Sequence, residues 1–412
     1  MKKLLLITYY FPPEKNVGAI RMKGIAKYLP VFGWEVFVLV PFVPKRKEEG
    51  FNIVETPLLF KEKIKYLIKE EKFKEKFLYK IPSYILFLSS LRGIIPFPDR
   101  KIEWKFIGSY IGRKIVKREK ISAIISSSTP VTSHIVAYEI KRDFPEIFWI
   151  ADFRDLWTQN PYLKYSKLSK RLQKKLEKRI ISDADILTTV SLPLAEQLRN
   201  FHSKTAFSIP NGFDPEEFDF SIEPDRKFTI TYAGSLYGGK RNPEFLFIAI
   251  SELLKEKKIK EEDIEINFYG PYEPFLELLI RKFKGENMVK YRGNIERKEV
   301  LRKLKASQIL LLLSWNNPEA RGTYSGKLFE YIGTKRPILS IGYKGSVIKE
   351  LLEETDAGVH CSDVEEVKKV LLEWYKEWKE KKIVSYKGRE LKINQYSHKT
   401  MAEKFVKILE RK

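Results

Sequence analysis

The sequence contains little cysteine and histidine, with one cysteine, Cys361, and four histidines among 412 residues. A single cysteine excludes an intrachain disulfide, and no Cys/His cluster has the spacing of a metal site, so structural zinc is not expected. Because disulfides accumulate in oxidising compartments, this composition favours a reducing one, and we expect the protein in the cytoplasm.

Long apolar runs are also lacking. No stretch approaches the roughly 20 uninterrupted apolar residues that a membrane-spanning helix needs, and the best candidate, residues 81–91, is short and contains serines. The apolar run near the N-terminus leads directly into Phe11-Pro12-Pro13 without a small-residue cleavage site. We therefore interpret residues 1–10 as a first strand and expect no membrane-spanning segment.

The chain has an excess of positive charge. Lys and Arg total 77 against 54 Asp and Glu, which gives a net charge of +23. Such an excess attracts phosphate-bearing partners, and nucleotides, anionic lipids and nucleic acids all qualify.

Apolar residues make up 43% of the chain, which is enough for packed cores. A length of 412 residues exceeds that of an ordinary single domain, so we predict two domains.

Apolar strands alternate with helical patterns in both halves of the chain. Residues 4–9, 19–29 and 35–40 read as a β-α-β unit, and the pattern resumes over residues 123–151 and again over 228–360. Continuous apolar strands predict α/β domains with doubly wound parallel sheets. A Pro- and acid-rich linker follows Gly212, so we predict domains 1–212 and 213–395, with ligands bound at the carboxyl ends of the strands.

Residues 61–120 differ from their surroundings, with 17 Lys and Arg against 7 Asp and Glu. Within this predicted basic insertion, residues 77–91 interleave aromatic and aliphatic side chains between flanking lysines, which is typical of a segment in a membrane interface. A helical pair covering the sheet, with solvated lysines, explains the same pattern. Both interpretations stay open.

The strongest local signal is the stretch from Arg321 to Gly333, which follows a predicted strand and enters a helix. Gly322 and Gly326 allow close approach of a ligand, and the amides at a helix start can hold an anion such as diphosphate. Glu330 lies one turn further, where its carboxylate can accept both hydrogen bonds of a ribose diol. An ordinary surface helix is the alternative interpretation.

This stretch resembles the donor site of the retaining GT-B glycosyltransferases of the "glycosyl transferases group 1" family, through Phe329-Glu330-Tyr331 and the turn from Gly333 to Pro337. The resemblance implies two Rossmann-like domains facing across a cleft, with Glu330 on the ribose. The phosphate is then expected in the loop and helix start formed by Thr323, Ser325, Gly326 and Lys327. It also implies that residues 396–412 form a terminal helix that packs back on the first domain.

Two further loops resemble that family. Phe11-Pro12-Pro13 with Gly18 and Arg21 is similar to its first glycine-bearing loop, which faces the donor phosphates. The loop from Gly234 resembles the one in which the family places an arginine and a lysine on the diphosphate. Here Lys240 matches, but Ser235 occupies the arginine position. Either Arg241 substitutes for that arginine, or Lys240 and Lys327 neutralise the diphosphate.

A second departure concerns the donor sugar. The family has a glutamate eight residues before the ribose glutamate, and that position is Gly322 in this chain. Glu319, three residues earlier, is the candidate to reach the sugar from the longer loop.

The predicted strand before Asp152 ends in a cluster of charges, Asp152, Arg154 and Asp155. A similar motif occurs in sugar transferases that build surface polysaccharides, so these three residues are candidate catalytic or acceptor-binding groups. The alternative is that Arg154 pairs with Asp155 while Trp157 fills the core. Residues 126–130 are predicted as a second polar loop on the same edge, and no enzymic nucleophile is expected because the family uses the donor's own phosphate as base.

The resulting hypothesis is a retaining, metal-independent transfer of a sugar from a UDP- or GDP-type nucleotide sugar to a glycan or lipid-linked acceptor. No cofactor beyond the donor is expected, and the basic insertion makes an anionic membrane surface a candidate partner. A nucleotide-sugar epimerase or a phosphorylase of similar architecture is the enzymatic alternative. A nucleic-acid-binding protein is the other alternative, although no recognition motif for nucleic acid is present.

Overall fold

The computed structural model describes residues 1–57 except 45, 47 and 48, together with residues 97–411. Most of the predicted basic insertion, including the proposed membrane segment 77–91, therefore lies outside the described residues. The chain divides into two compact units, Met1–Pro210 with His398–Lys412, and Asn211–Ser397. Both divisions fall two residues away from the boundaries that the sequence predicts.

The described residues of the first unit form a parallel sheet of seven strands in the order β3-β2-β1-β4-β5-β6-β7. Its strands are β1 Lys2–Thr8, β2 Trp34–Pro41, β3 Asn52–Thr56, β4 Ala123–Ser128, β5 Phe148–Phe153, β6 Ile186–Thr189 and β7 Ala206–Ser208. Its helices are α1 Val17–Tyr28, α2 Trp104–Glu119, α3 Thr132–Asp143, α4 Lys167–Ile181, α5 Leu192–His202 and the terminal helix α13 His398–Leu409.

One expectation about this unit is wrong. Ser126, Ser127 and Ser128 belong to the buried strand β4, where neighbouring groups satisfy their hydroxyls, so they form no polar loop. In the described part of the predicted insertion, α2 is an ordinary sheet-covering helix that packs against α3, which agrees with the alternative interpretation of that segment. Its isoleucines, spaced four residues apart, turn one stripe into the core.

The second unit contains a parallel sheet of six strands in the order β10-β9-β8-β11-β12-β13. Its strands are β8 Phe228–Ala233, β9 Ile264–Tyr269, β10 Val289–Gly293, β11 Ile309–Leu313, β12 Ile338–Ile341 and β13 Gly358–Cys361. Its helices are α6 Glu244–Lys255, α7 Pro274–Lys282, α8 Arg297–Ala306, α9 Gly326–Thr334, α10 Val347–Thr355, α11 Val364–Lys381 and the short α12 Glu390–Ile393.

Both sheets have a point at which the strand order reverses. In the first unit it lies between β1 and β4, and in the second between β8 and β11. Loops that leave the carboxyl ends of two such strands run to opposite faces and open a crevice, which is where ligands of doubly wound sheets bind. The loops that carry Gly234 and Gly322 leave β8 and β11, so the second crevice contains the strongest sequence motifs.

Candidate functional site

Arg21 and Asp152 form a buried ion pair in the first unit. Arg21 Nε lies 3.0 Å from Asp152 Oδ2 and Nη2 lies 2.8 Å from Oδ1, and both side chains are almost fully enclosed. Asp152 also accepts hydrogen bonds from the hydroxyls of Ser127 and Thr188, each at 2.9 Å, while Arg21 donates to the carbonyl of Pro210. Although burial alone raises the pKa of the Asp152 carboxyl, Arg21 and these hydrogen bonds hold it below its usual range.

This pair corrects two sequence-based assignments. Arg21 is not accessible to donor phosphates, and Asp152 is not accessible to an acceptor. Both side chains are buried, and each neutralises the charge of the other. The resemblance placed both in functional loops, but β5 extends to Phe153 and α1 already begins at Val17. The pair therefore joins α1 to the sheet.

Arg154 and Asp155 lie above that pair, at the carboxyl edge of the first sheet. Arg154 Nη2 is 2.9 Å from Asp155 Oδ2, and both side chains are partly exposed. Gly18 in the first turn of α1 packs close to this guanidinium, since a Cβ on Gly18 would lie 3.4 Å from Arg154 Nε. The structure thus places Arg154 and Asp155 together as a partly exposed polar pair, with the buried Gly18 packed beside the guanidinium.

His134 is neutral and enclosed. Its Nδ1 lies 2.8 Å from Ser126 Oγ, which also accepts a hydrogen bond from Trp149 Nε1. Burial lowers the pKa of His134 to about 3. This histidine is therefore a core residue and no candidate for a solvent-facing base.

In the second unit, Gly234 ends β8 and makes room for a lysine from another element. Its φ of +120° disfavours other residues, and a Cβ there would lie 2.3 Å from Lys327 Cε. Lys327 consequently crosses the end of β8, where its Nζ donates to the Tyr232 hydroxyl at 3.2 Å and lies 4.8 Å from the centre of that ring. The helix start and the β8 loop therefore share one side-chain cluster.

Lys327 and Arg241 both act on the Tyr232 phenol. Lys327 Nζ donates to the Tyr232 hydroxyl, which itself donates to the carbonyl of Ser235 at 2.6 Å, and the Arg241 guanidinium is near enough for its charge to act on the same phenol. Burial, and then the nearby Arg241 charge, lower the pKa of Lys327 well below its ordinary value. Like charges held together away from water are unfavourable, and an anion placed between them removes the penalty.

Lys240 lies in the same loop, with Nζ 4.5 Å from the centre of the Trp315 ring. Trp315 follows β11, so Lys240 bridges the two loops that leave the crevice strands. The Arg241 guanidinium stacks on Tyr237 at 4.3 Å. Aromatic faces hold both cations without neutralising them, because a ring quadrupole attracts a cation but carries no net charge.

Glu273, which the sequence reading missed, organises the β8 loop. Its carboxylate accepts hydrogen bonds from the Ser235 hydroxyl at 2.9 Å and from the amides of Leu236 at 2.5 Å and Gly238 at 2.9 Å. Burial alone raises the pKa of Glu273, but these donors hold it below its usual range. Ser235, at the family's arginine position, therefore contacts a carboxylate, and Glu273 precedes α7 in a segment that carried no recognisable motif.

The start of α9 provides polar groups directed at the same region. Ser325 is the N-cap residue, and Gly326 and Lys327 follow in the first turn. The Ser325 hydroxyl is buried and has no hydrogen-bond partner among the described residues. With the free amides of the first turn it forms a donor set that suits phosphate oxygens, and Thr323 lies half-buried just before it.

Glu330 is held in place by Arg297, a residue that sequence reasoning also missed. Arg297 Nη1 donates to Glu330 Oε1, and its Nη2 lies 2.7 Å from Glu217 Oε2. Arg297 precedes Glu330 by 33 residues and reaches it because α8 packs beside α9. Glu330 is half-buried and carries an oriented carboxylate, as a ribose contact requires.

The expected sugar-contacting position has no acidic side chain next to the helix. Gly322 is buried, and Glu319 lies on an exposed 3-10 turn, Pro318–Ala320, that the Asn317 side chain caps. Glu319 therefore lies at the surface of the β11 loop, and its role stays a prediction.

Within residues 1–57 and 97–411, no group of three or more His, Cys, Asp or Glu side chains is arranged to hold a metal ion. In the same part of the chain, no helix is long and apolar enough to cross a membrane.

Comparison with known proteins identifies the architecture. Residues 227–377 match the family model described as glycosyl transferases group 1. The whole chain superimposes on sucrose-phosphate synthase from Thermosynechococcus elongatus, with 13% identity, a TM-score of 0.67, and coverage of 100% of this chain and 99% of that one. No curated protein sequence gives a significant match.

Two further solved structures are similar over their full length. HepE from Anabaena, in complex with UDP and glucose, has 11% identity and a TM-score of 0.65, with both chains covered completely. TarM has 10% identity and a TM-score of 0.67, with 99% of this chain and 98% of that chain covered. The expected GT-B fold of two Rossmann-like units is therefore confirmed, and the family match in the second unit supports a glycosyltransferase.

Proposed function

We propose that the protein transfers a sugar from a nucleotide diphosphate sugar to a lipid-linked or polysaccharide acceptor, with retention of configuration and without a metal ion. The observation that carries the proposal is the cluster of Lys327 and Arg241 around Tyr232, beside the start of α9. A diphosphate bound there would neutralise both cations and engage the unpartnered Ser325 hydroxyl.

This arrangement suits the chemistry of glycosyl transfer. As the glycosidic bond to the donor breaks, negative charge develops on the leaving diphosphate, and fixed donors stabilise it at no cost of reorganisation. Lys240, Arg241 and Lys327 supply positive charge, and the first-turn amides of α9 supply hydrogen bonds. We propose metal independence because these groups can stabilise the negative charge of the leaving diphosphate, which is the role that a metal ion would otherwise have.

Glu330 is the proposed contact for the ribose, at the nucleoside end of the donor. Its orientation by Arg297 supports a bidentate contact with the ribose diol, next to the diphosphate position. The HepE complex with UDP and glucose supports a uridine donor as the first to test. Retention is supported by the resemblance of the α9 stretch to the donor site of retaining enzymes.

In the first unit, Arg154 and Asp155 are the proposed acceptor contacts. They are partly exposed at the carboxyl edge, and Thr129 Oγ1 lies 3.5 Å from Asp155 Oδ2. A carboxylate beside an arginine can bind a hydroxyl of a sugar acceptor while the guanidinium contacts a phosphate. Cytoplasmic action on a membrane-held acceptor is part of the same proposal.

A thermal-shift panel of UDP-, GDP- and ADP-sugars tests the proposal. A donor at 100 times its Kd stabilises the native state by about 2.7 kcal/mol, so its binding gives a clear rise in Tm. The stabilising donor is then incubated with acceptor mixtures, and released nucleotide is followed by NMR. A flat panel contradicts the proposal, and a sugar that is altered but stays on the nucleotide indicates an epimerase.

A further inference from the structure

Helix α4 buries two polar side chains and exposes two leucines, although Ile180 and Ile181 at its C-terminal end pack inward as usual. Gln173 and Glu177 are buried in the first unit, whereas Leu168 is 69% exposed and Leu172 is 49% exposed. A helix that only covers a sheet turns its leucines inward and its polar residues outward. Buried polar groups and exposed large apolar groups are the informative departures from that rule.

The orientation of α4 is fixed by buried hydrogen bonds. Gln173 accepts from Trp157 Nε1 at 2.7 Å and donates to the carbonyl of Pro98 at 2.8 Å. Glu177 accepts from the amide of Thr158 at 3.2 Å and lies 3.2 Å from His202 Nε2. Rotating α4 to bury its leucines would break this network, so the outward leucines are a stable feature of the fold.

The exposed face is also strongly basic. Seven of the fifteen residues of α4 are Lys or Arg, and Glu177, its one acidic residue, is buried. With 3.6 residues per turn, Arg171 and Lys175 lie beside Leu168 and Leu172 on the outer side. We name these four side chains the α4 outer surface.

We propose that the α4 outer surface binds an anionic lipid membrane. Leucines that project between lysines and arginines match an interface in which acyl chains lie under negatively charged headgroups. A nucleic acid would use the positive charges alone, because phosphates and sugars give leucine side chains no apolar environment. This proposal does not depend on sugar transfer.

The position of α4 connects this surface with the first unit's polar edge. α4 follows β5, so its N-terminal end lies on the side of the sheet where Arg154 and Asp155 emerge. A membrane bound there would bring lipid headgroups to the edge that carries these two residues.

The test compares binding to phosphatidylglycerol-containing vesicles with binding to pure phosphatidylcholine vesicles, by co-sedimentation of the full chain. Wild type is expected to prefer the anionic vesicles. Leu168→Gln/Leu172→Gln keeps every charge, and we expect its partition coefficient to fall at least about tenfold because apolar burial is lost. The partition coefficient of Arg171→Gln/Lys175→Gln is expected to fall about fivefold for each charge removed.

A matched control replaces two exposed leucines of the second unit, Leu278 and Leu391, which are 68% and 86% exposed. Leu278→Gln/Leu391→Gln should bind vesicles as wild type does, and all variants should keep the wild-type Tm and response to nucleotide sugars. Absence of wild-type binding overturns the proposal. The proposal is also overturned if Leu168→Gln/Leu172→Gln binds anionic vesicles as well as wild type, because binding would then be adsorption driven by net charge alone.

Discussion

Replacing Asp152 with asparagine distinguishes a structural ion pair from a catalytic carboxylate. The substitution keeps the size of the side chain but leaves the guanidinium of Arg21, which is 1% exposed, without its counter-charge. Breaking a buried pair from one side costs about 3 to 5 kcal/mol of unfolding free energy. With a urea m-value of about 3 kcal/mol/M, the midpoint should fall by roughly 1 to 1.7 M.

The pH dependence gives an independent check on this pair. Because the folded pKa of Asp152 lies below its ordinary value of 3.8, the pair stabilises the fold above that pH and loses its contribution as the pH falls further. The difference between wild type and Asp152→Asn should therefore be full at pH 7 and shrink in acid. Urea unfolding followed by circular dichroism, with hydrogen exchange to locate the change in the first unit, measures both effects.

The matched control is Asp155→Asn, which removes the partly exposed partner of Arg154. Exposed pairs contribute about 0 to 1 kcal/mol, so its midpoint should stay close to wild type. The reasoning is refuted if Asp152→Asn unfolds at the wild-type urea concentration yet loses activity, since Asp152 would then act in the chemistry.

Three further predictions concern the second unit. Glu273→Gln should loosen the β8 loop and weaken UDP binding, measured by calorimetry, roughly three- to tenfold. The control Glu277→Gln should bind UDP as wild type does. Equal affinities of the two variants would show that Glu273 does not support the site. Gly234→Ala should displace Lys327 and reduce UDP affinity. Gly239→Ala shares a positive φ, but its Cβ would meet only Phe275 at an ordinary contact distance of 4.0 Å, so it should keep the wild-type affinity. Sugar transfer should persist in excess EDTA, and a strict need for a divalent ion would contradict stabilisation by cations and amides.

The sequence predicts the second sheet well because short, largely apolar segments such as β11 alternate there with longer helical patterns. β8 begins at Phe228, where the predicted alternation of the second half begins, and the fold class is confirmed. Local pattern and structure thus agree where a buried strand consists mainly of apolar residues.

The rest depends on contacts between distant parts of the chain. Arg21 and Asp152 are 131 residues apart, and no local pattern reveals that one neutralises the other. Ser126 reads as a loop residue because its polarity is visible in the sequence, while the partners that permit its burial are not. Glu273 and Arg297 were missed for the same reason, since each acts on a loop or helix from another β-α unit.

The central claim is that the second unit binds a nucleoside diphosphate with its ribose on Glu330. Calorimetry with UDP and GDP on wild type, Glu330→Gln and Glu217→Gln tests it, because Glu217 is the other carboxylate partner of Arg297 and serves as control. Glu330→Gln loses charge-assisted hydrogen bonds worth about 1.5 to 3 kcal/mol, so its affinity for the nucleotide should be roughly 10- to 100-fold weaker than that of wild type. Glu217→Gln should bind nearly as wild type does.

Unchanged affinity in Glu330→Gln, or equal losses in both variants, would contradict the ribose contact.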